Sequence, residues 1–334
     1  MTMKLFSRPL FFPVILAVSI FIIDKLFLFE CVRENTVQWS RFEAPLYESK
    51  KLLYRNLQKQ HPADNIIVSG SSRSGELSQQ QFYDLLKNSQ IRVYNFSAPL
   101  ASYEFHYYWL KKMLTDKIKI RAVILEIDPV LFSMASSQYT FQYSLDIPFV
   151  LHYTDLSGFK KENPYLYEGG FSSDDLNRYL LMRIFAAYRY SPDFINVLKN
   201  NTPEFPKSPD EPGILLTGKD LHNEMKKLIV RSVNDNLGGM RNPTTANMSM
   251  QEISKDAERK FSELKIDSKN PSLIQTAFFN KTIKLLSSNK IPTILFFPLN
   301  SESFQRLLDE KGHSDVFRNE INQIADEAKK NSPE

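Results

Sequence analysis

The residues best placed to do chemistry are the serines of Ile66-Ile67-Val68-Ser69-Gly70-Ser71-Ser72-Arg73-Ser74, where an apolar run breaks at a glycine into a cluster of hydroxyls. Such a run reads as a buried strand that delivers a hydroxyl to a tight turn. A turn of this kind lifts a serine Oγ clear of the sheet and leaves backbone N–H groups beside it, which is what an acyl-transferring nucleophile needs. The same residues also suit a helix start, where a serine accepts a backbone N–H bond as a cap. Local sequence leaves both readings open, and the partners supplied by the rest of the chain must separate them.

The elements that would position this turn form an α/β pattern. Asn65 to Ser69, Arg92 to Phe96, Ala122 to Ile127 and Thr293 to Phe297 are short apolar runs without alternation, as expected for strands buried on both faces of a parallel sheet. Helices separate them. Ser78 with Gln81 predicts a capping box ahead of Phe82, Leu85 and Leu86, and Ser272 with Gln275 predicts another ahead of Ile274, Phe278, Leu285 and Leu286. Phe105, Tyr108, Trp109 and Met113 make an apolar face between the second and third strands. The interval from about 132 to 271 is too long for a simple crossover and reads as a largely helical insertion. Within it Ser173 is expected to cap a helix through Leu176, Tyr179, Leu180, Arg183, Ile184 and Ala187, and Met225, Leu228, Ile229 and Val233 suggest a second helix. Asn200 to Pro212 and Leu237 to Met250 read as loops. A helix around Ser303 to Leu308 and an amphipathic stretch through Val316, Phe317, Ile321, Ile324 and Ala328 close the chain.

The amino terminus has a different character. Lys4 and Arg8 precede an apolar run from Leu10 to Phe29, interrupted by Asp24-Lys25, and no small-residue cleavage site follows it. Residues 1–31 are therefore expected to be a single-pass signal anchor, with the positive amino terminus in the cytoplasm and the main domain outside. Residues 32–64 then read as a stalk and first helix, and 65–334 as the main domain. A net charge of +4 with balanced acids and bases gives no extended basic face, which excludes nucleic acid as an expected partner. The single cysteine, Cys31, makes no internal disulfide, and the five histidines lack metal-ligand spacing, so no metal or cofactor is expected.

Ligands of open parallel sheets bind outside the carboxyl ends of the strands. Those ends carry Gly70-Ser71-Ser72, Ser97-Ala98-Pro99, Asp128-Pro129 and Pro298-Leu299-Asn300. Backbone N–H groups after Ser72 and near Ser97 are candidate oxyanion donors, while Asp128 is a candidate to orient a donor or hold the Ser72 turn. The plainer alternative is that these polar residues cap helices and close loops.

Ile66 to Ser74, Tyr94-Asn95-Phe96-Ser97-Ala98-Pro99 and Val123-Ile124-Leu125-Glu126-Ile127-Asp128-Pro129 together resemble the membrane-anchored branch of the SGNH (GDSL-like) hydrolase superfamily, and most closely the bacterial family called domain of unknown function 1574. That branch is similar to the D-alanyl-transfer protein of teichoic acids and to alginate O-acetylation proteins. The resemblance implies a flavodoxin-like, SGNH-type sheet and an extracytoplasmic esterase or O-acyltransferase acting on a cell-envelope glycan or lipid. It puts Ser72 at the nucleophile position, with Ser71 in place of an aspartate, Ser97 near an oxyanion glycine and Asp128 near an oxyanion asparagine. An ionised aspartate donates no hydrogen bond, which weakens that hole. The superfamily's Asp-x-x-His block has no counterpart, and the last strand is expected to be missing. His313, between Asp309 and Asp315, is the only late histidine and the remaining candidate base. The alternative function is a non-catalytic envelope protein that keeps the fold for binding.

Overall fold

The structure, a computed structural model, describes residues 11–36, 43–59, 64–87, 91–134, 138–158, 162–191, 205–208, 211–216, 227, 229–239, 249–298 and 300–330. The amino-terminal helices are α1 (Phe11–Leu26), α2 (Glu30–Thr36) and α3 (Glu43–Lys59). Strand β1 (Asp64–Ser69), helix α4 (Gln79–Leu86), β2 (Ile91–Asn95), α5 (Tyr103–Thr115) and β3 (Ile120–Glu126) follow. The strands form a four-stranded parallel sheet with β6 (Thr293–Phe296), in the order β2-β1-β3-β6. The predicted strands are all present, to within two residues at each end.

The unalternating apolar character of β1 has a direct cause, because successive side chains point to opposite faces and both faces are covered. Ile67 enters the main core against α3 and α5, whereas Val68 joins Val93 and Ile124 on the other face, under Leu77 and Phe82 near α4. The capping box of α4 forms as predicted: Ser78 Oγ accepts from Gln81 N–H, and Gln81 Oε1 accepts from Ser78 N–H at 2.9 Å. Ser272 does stand at the N-cap of α12 (Leu273–Ser288, the helix that precedes β6), but its side chain makes no capping bond. Gln275 instead points into the core, where its Oε1 accepts the Tyr103 N–H at 2.9 Å, and burial between two helices decides the matter.

Between β3 and α12 lie α6 (Pro129–Ser133), α7 (Gln138–Tyr143), α8 (Ile147–His152), α9 (Ser173–Ile184), α10 (Ala186–Tyr190), the strands β4 (Phe205–Ser208) and β5 (Glu211–Leu216), and α11 (Met250–Leu264). Two expectations change here. The cap of α9 is Ser172 and not Ser173, because Asp175 at the third helical position completes a reciprocal box with it. The stretch read as a loop from Asn200 to Pro212 holds β4 and the start of β5, which pair antiparallel. Prolines are tolerated there because each strand of a two-stranded ribbon keeps a free edge. The helix read from Met225 is present at 229–235, while Met225 and Leu228 lie outside the described residues, as does most of the loop from Leu237 to Met250. Helices α13 (Glu302–Glu310) and α14 (His313–Lys330) follow β6.

Within residues 32–64, read as a stalk and first helix, α3 packs into the domain. Leu46, Tyr47, Leu53, Tyr54 and Leu57 of α3 are buried in the main core, and Tyr47 meets Phe105 edge to face at 5.3 Å. Helix α1, by contrast, leaves its apolar residues from Phe12 to Ile23 exposed. Among the described residues no helix is long and apolar enough to cross a membrane; α1 spans 16 of them, and residues 1–10 of the expected anchor lie outside the described part.

If α3 is a core element, truncating Leu53 opens a cavity that its rigid surroundings do not fill. Leu53→Ala is expected to lower the unfolding free energy by about 3 kcal/mol, and Leu85→Ala on the exposed face of α4 by less than about 0.5 kcal/mol, both read from denaturant melts. Equal effects would show that α3 does not belong to the core.

Candidate active site

The turn is built backwards from a buried carboxylate. Glu126 ends β3 with no exposed surface, beside the end of β1 in the parallel register Ser69 with Leu125. Its Oε2 accepts the Ser71 N–H at 2.8 Å and the Ser74 hydroxyl, and its Oε1 accepts the Ser71 hydroxyl at 2.6 Å. Gly70 is what lets the carboxylate come so close. A Cβ there would lie 2.5 Å from Glu126 Oε2 and 2.7 Å from Glu126 Cβ. Ser71 then caps the single 3-10 turn Ser72–Ser74, its Oγ accepting the Arg73 N–H at 3.3 Å.

Arg73 stitches the strand ends together. Its guanidinium donates to Glu126 Oε1 at 3.0 Å, to Asp128 Oδ2 at 2.8 Å and to Asn300 Oδ1 at 2.9 Å, joining the segments after β1, β3 and β6. Burial works against the Arg73 charge, but Asp128 and Glu126 outweigh it and raise its pKa. For Asp128 burial raises the pKa against the pull of Arg73, and its Oδ1 also caps α6 by accepting the Val130 N–H at 2.6 Å. The segment after β2 is tied in by Asn95, whose amide donates to Ser74 O and Leu77 O at 2.7 Å.

The sequence-predicted residues therefore fall into distinct places. Ser71, Ser72, Asp128 and Asn300 converge around Arg73 or the turn that carries it, and Asp128 holds that turn through the Arg73 ion pair. Ser72 is the exposed member, and no described residue bonds its Oγ. Ser97 lies buried behind the turn; its N–H donates to Asn95 Oδ1 at 2.8 Å, the neighbouring Ala98 N–H donates to Gly70 O at 3.1 Å, and its Oγ has no partner among the described residues. His313 is not brought to the turn. It opens α14, its Nδ1 lying 2.9 Å from Ser268 Oγ and its ring near Phe261. Among the described histidines, His106 is the one bonded to β1, buried behind it with Nδ1 2.9 Å from Ser69 Oγ and Nε2 unpartnered among the described residues. Burial pushes its pKa down to about 4, so it stays neutral. Among the described residues no trio of His, Cys, Asp or Glu side chains is placed to hold a metal ion.

Sequence reasoning did not give Arg73, Ser74 or Asn95 a role and passed over Glu126. A signal was present, since a glutamate closing an apolar parallel strand must find buried donors, and the serine turn with its single arginine is the nearest supply.

The chain belongs to the family described as Protein of unknown function (DUF1574), whose family model matches residues 5–333. No curated protein and no solved structure matches it.

Removing the carboxylate would leave the Ser71 N–H and the buried Ser71 and Ser74 hydroxyls without their acceptor and take from Arg73 one of its two carboxylates. Glu126→Ala is expected to cost about 3–5 kcal/mol of stability in denaturant unfolding, and a loss below about 1 kcal/mol would contradict the network. His106 gives a pH signature. Its folded pKa lies below the unfolded value of 6.5, so its contribution is complete above pH 6.5 and is lost as the pH falls to about 4. At about 1.4 kcal/mol per pH unit the loss is about 3 kcal/mol, and in melts across this range His106→Asn is expected to flatten the slope.

Proposed function

We propose that this chain is a membrane-anchored, extracytoplasmic protein of SGNH-type fold that handles an acylated cell-envelope glycan or lipid, with Ser72 as the acyl-accepting group. The observation that carries the reading is the exposure of Ser72 at the carboxyl end of a central parallel strand, on a turn whose other side chains are tied into the sheet. The strand order β2-β1-β3-β6 agrees with a flavodoxin-like 2-1-3-4-5 sheet through its first four positions. A fifth strand of that order would pair with the outer side of β6, beside a groove of about 400 Å³ lined by Ile291, Thr293, Leu295, Ala325 and Ala328. The exposed apolar surface of α1 supports an anchor in the bacterial cytoplasmic membrane, with Lys4 and Arg8 on the cytoplasmic side and the domain outside.

In the proposed reaction Ser72 Oγ attacks an ester carbonyl, the alcohol leaves with the serine proton carried by water, and the acyl group passes to water or to a sugar hydroxyl. The Arg73 guanidinium, fixed by two carboxylates and partly exposed, is a positive charge on the same turn that could face the developing oxyanion. A serine without an adjacent imidazole is a poor nucleophile, and loss of a triad member costs about 10⁴–10⁶ in turnover. Neither His106 nor His313 bonds Ser72. That specific observation favours the second reading, in which the same turn binds an envelope glycan or partner without turnover.

A fluorophosphonate probe and an activated acetyl ester, applied to the full chain and to Ser72→Ala, separate the two. The acyl-transfer reading expects slow labelling and slow ester loss that both disappear in Ser72→Ala. Identical behaviour of the two proteins would reject it and leave the binding reading.

A further inference from the structure

The elbow between α9 and α10 carries apolar side chains that the domain does not cover: Leu181, Ile184 at 50 % exposure, Phe185 at 40 % and Tyr188. The same elbow grips the end of α1. Asp24, almost wholly buried, accepts the N–H groups of Ala186 at 2.9 Å and Ala187 at 2.7 Å, so it caps α10, while Lys25 donates to the Ile184 carbonyl. The Arg33 guanidinium lies over the Tyr190 ring, 4.8 Å from its centroid. These contacts fix the elbow at the height where α1 leaves the domain, and beyond Asp24 the helix offers apolar surface on every side.

The surroundings of the elbow are cationic. Lys51 and Arg55 are exposed on α3, and burial of the Lys51 stem pushes its pKa down, Glu48 opposing this while Arg189, Arg183 and Arg55 add to it. Arg183 donates to the Phe141 and Leu145 carbonyls and Arg189 to the Gln142 carbonyl, and no described carboxylate pairs with either guanidinium. Among the described residues, acids that act on groups of this face include Glu48, Asp24 and Asp146, of which Asp24 is already committed to α10 and Lys25. The described part of α1 covers 16 residues and ends at Leu26, two residues beyond Asp24. Apolar and cationic groups that flank the end of a membrane helix are drawn toward the bilayer interface.

We propose that the α9–α10 elbow seats in the headgroup layer of an anionic bilayer, with Ile184, Phe185 and Tyr188 among the upper acyl chains and the surrounding cations on lipid phosphates. This rests on the membrane-anchored reading of α1. It makes the domain a body clamped against the membrane, with its orientation set by Asp24.

The test uses the full chain with Cys31→Ser, reconstituted into vesicles of phosphatidylcholine and phosphatidylglycerol and spin-labelled at Phe185→Cys, with Ile20→Cys and Leu85→Cys as comparators. Collision with oxygen reports lipid, and collision with a water-soluble nickel chelate reports solvent. The Phe185 label is expected to favour oxygen and to be shielded from nickel, between the lipid-like Ile20 and the water-like Leu85. That shielding is expected to fall without phosphatidylglycerol and in the added Lys51→Glu, Arg55→Glu pair. A Phe185 label as open to nickel as Leu85, while Ile20 sits in lipid, overturns the proposal and leaves the anchor standing. Nickel access at Ile20 would remove the anchor reading and the elbow with it. Dipolar broadening between Phe185 labels would assign the face to a second copy of the chain and also overturn the proposal.

Discussion

A carboxylate at the end of a buried parallel strand has no water to solvate it, and around Glu126 the structure answers this with donors from one short segment. Ser71 contributes its backbone and hydroxyl, Ser74 its hydroxyl and Arg73 its guanidinium. The turn thereby takes a shape in which these groups reach one carboxylate, and Gly70 is confined to glycine because a Cβ there would occupy the space of that carboxylate and of the Ser74 hydroxyl. Arg73 carries the constraint outward, since its second nitrogen reaches Asp128 and Asn300. This polar knot ties together the carboxyl ends of β1, β3 and β6 beside the apolar and aromatic core.

The knot also decides what the site presents. Ser71, Ser74, Asp128 and Asn300 are engaged in holding it, and Ser72 is left facing solvent. Such a division of labour suits a reactive or binding hydroxyl, because the exposed group sits on a base whose rotamers are locked. Protein N–H donors behind the turn are engaged as well, those of Ser97 and Ala98 with Asn95 and Gly70, so Arg73 is the group with positive charge to offer a ligand.

The parallel sheet and its order of elements were legible in the sequence because strands buried on both faces leave unbroken apolar runs, and Ile66–Ser69 and Ala122–Ile127 could be little else. The convergence of Ser72, Asp128 and Asn300 was legible for the same reason, since strand ends of one sheet meet. Arg73 and Glu126 were harder to read. Their partnership spans 53 residues and depends on register, which apolar patterning does not encode. Ser272 and Gln275 show the opposite error, a local capping signature overridden when Gln275 found a buried partner in Tyr103. Asp24 and Lys25 resembled an interruption of an apolar helix, whereas they are the contact that joins it to α10.

The central claim is that the serine turn keeps its shape because Arg73 and Glu126 act together. A double-mutant cycle of Arg73→Met and Glu126→Gln, measured by denaturant unfolding of the full chain, tests it most directly. A coupling energy above about 1 kcal/mol is predicted for groups sharing one buried network, whereas additivity within about 0.5 kcal/mol would contradict it.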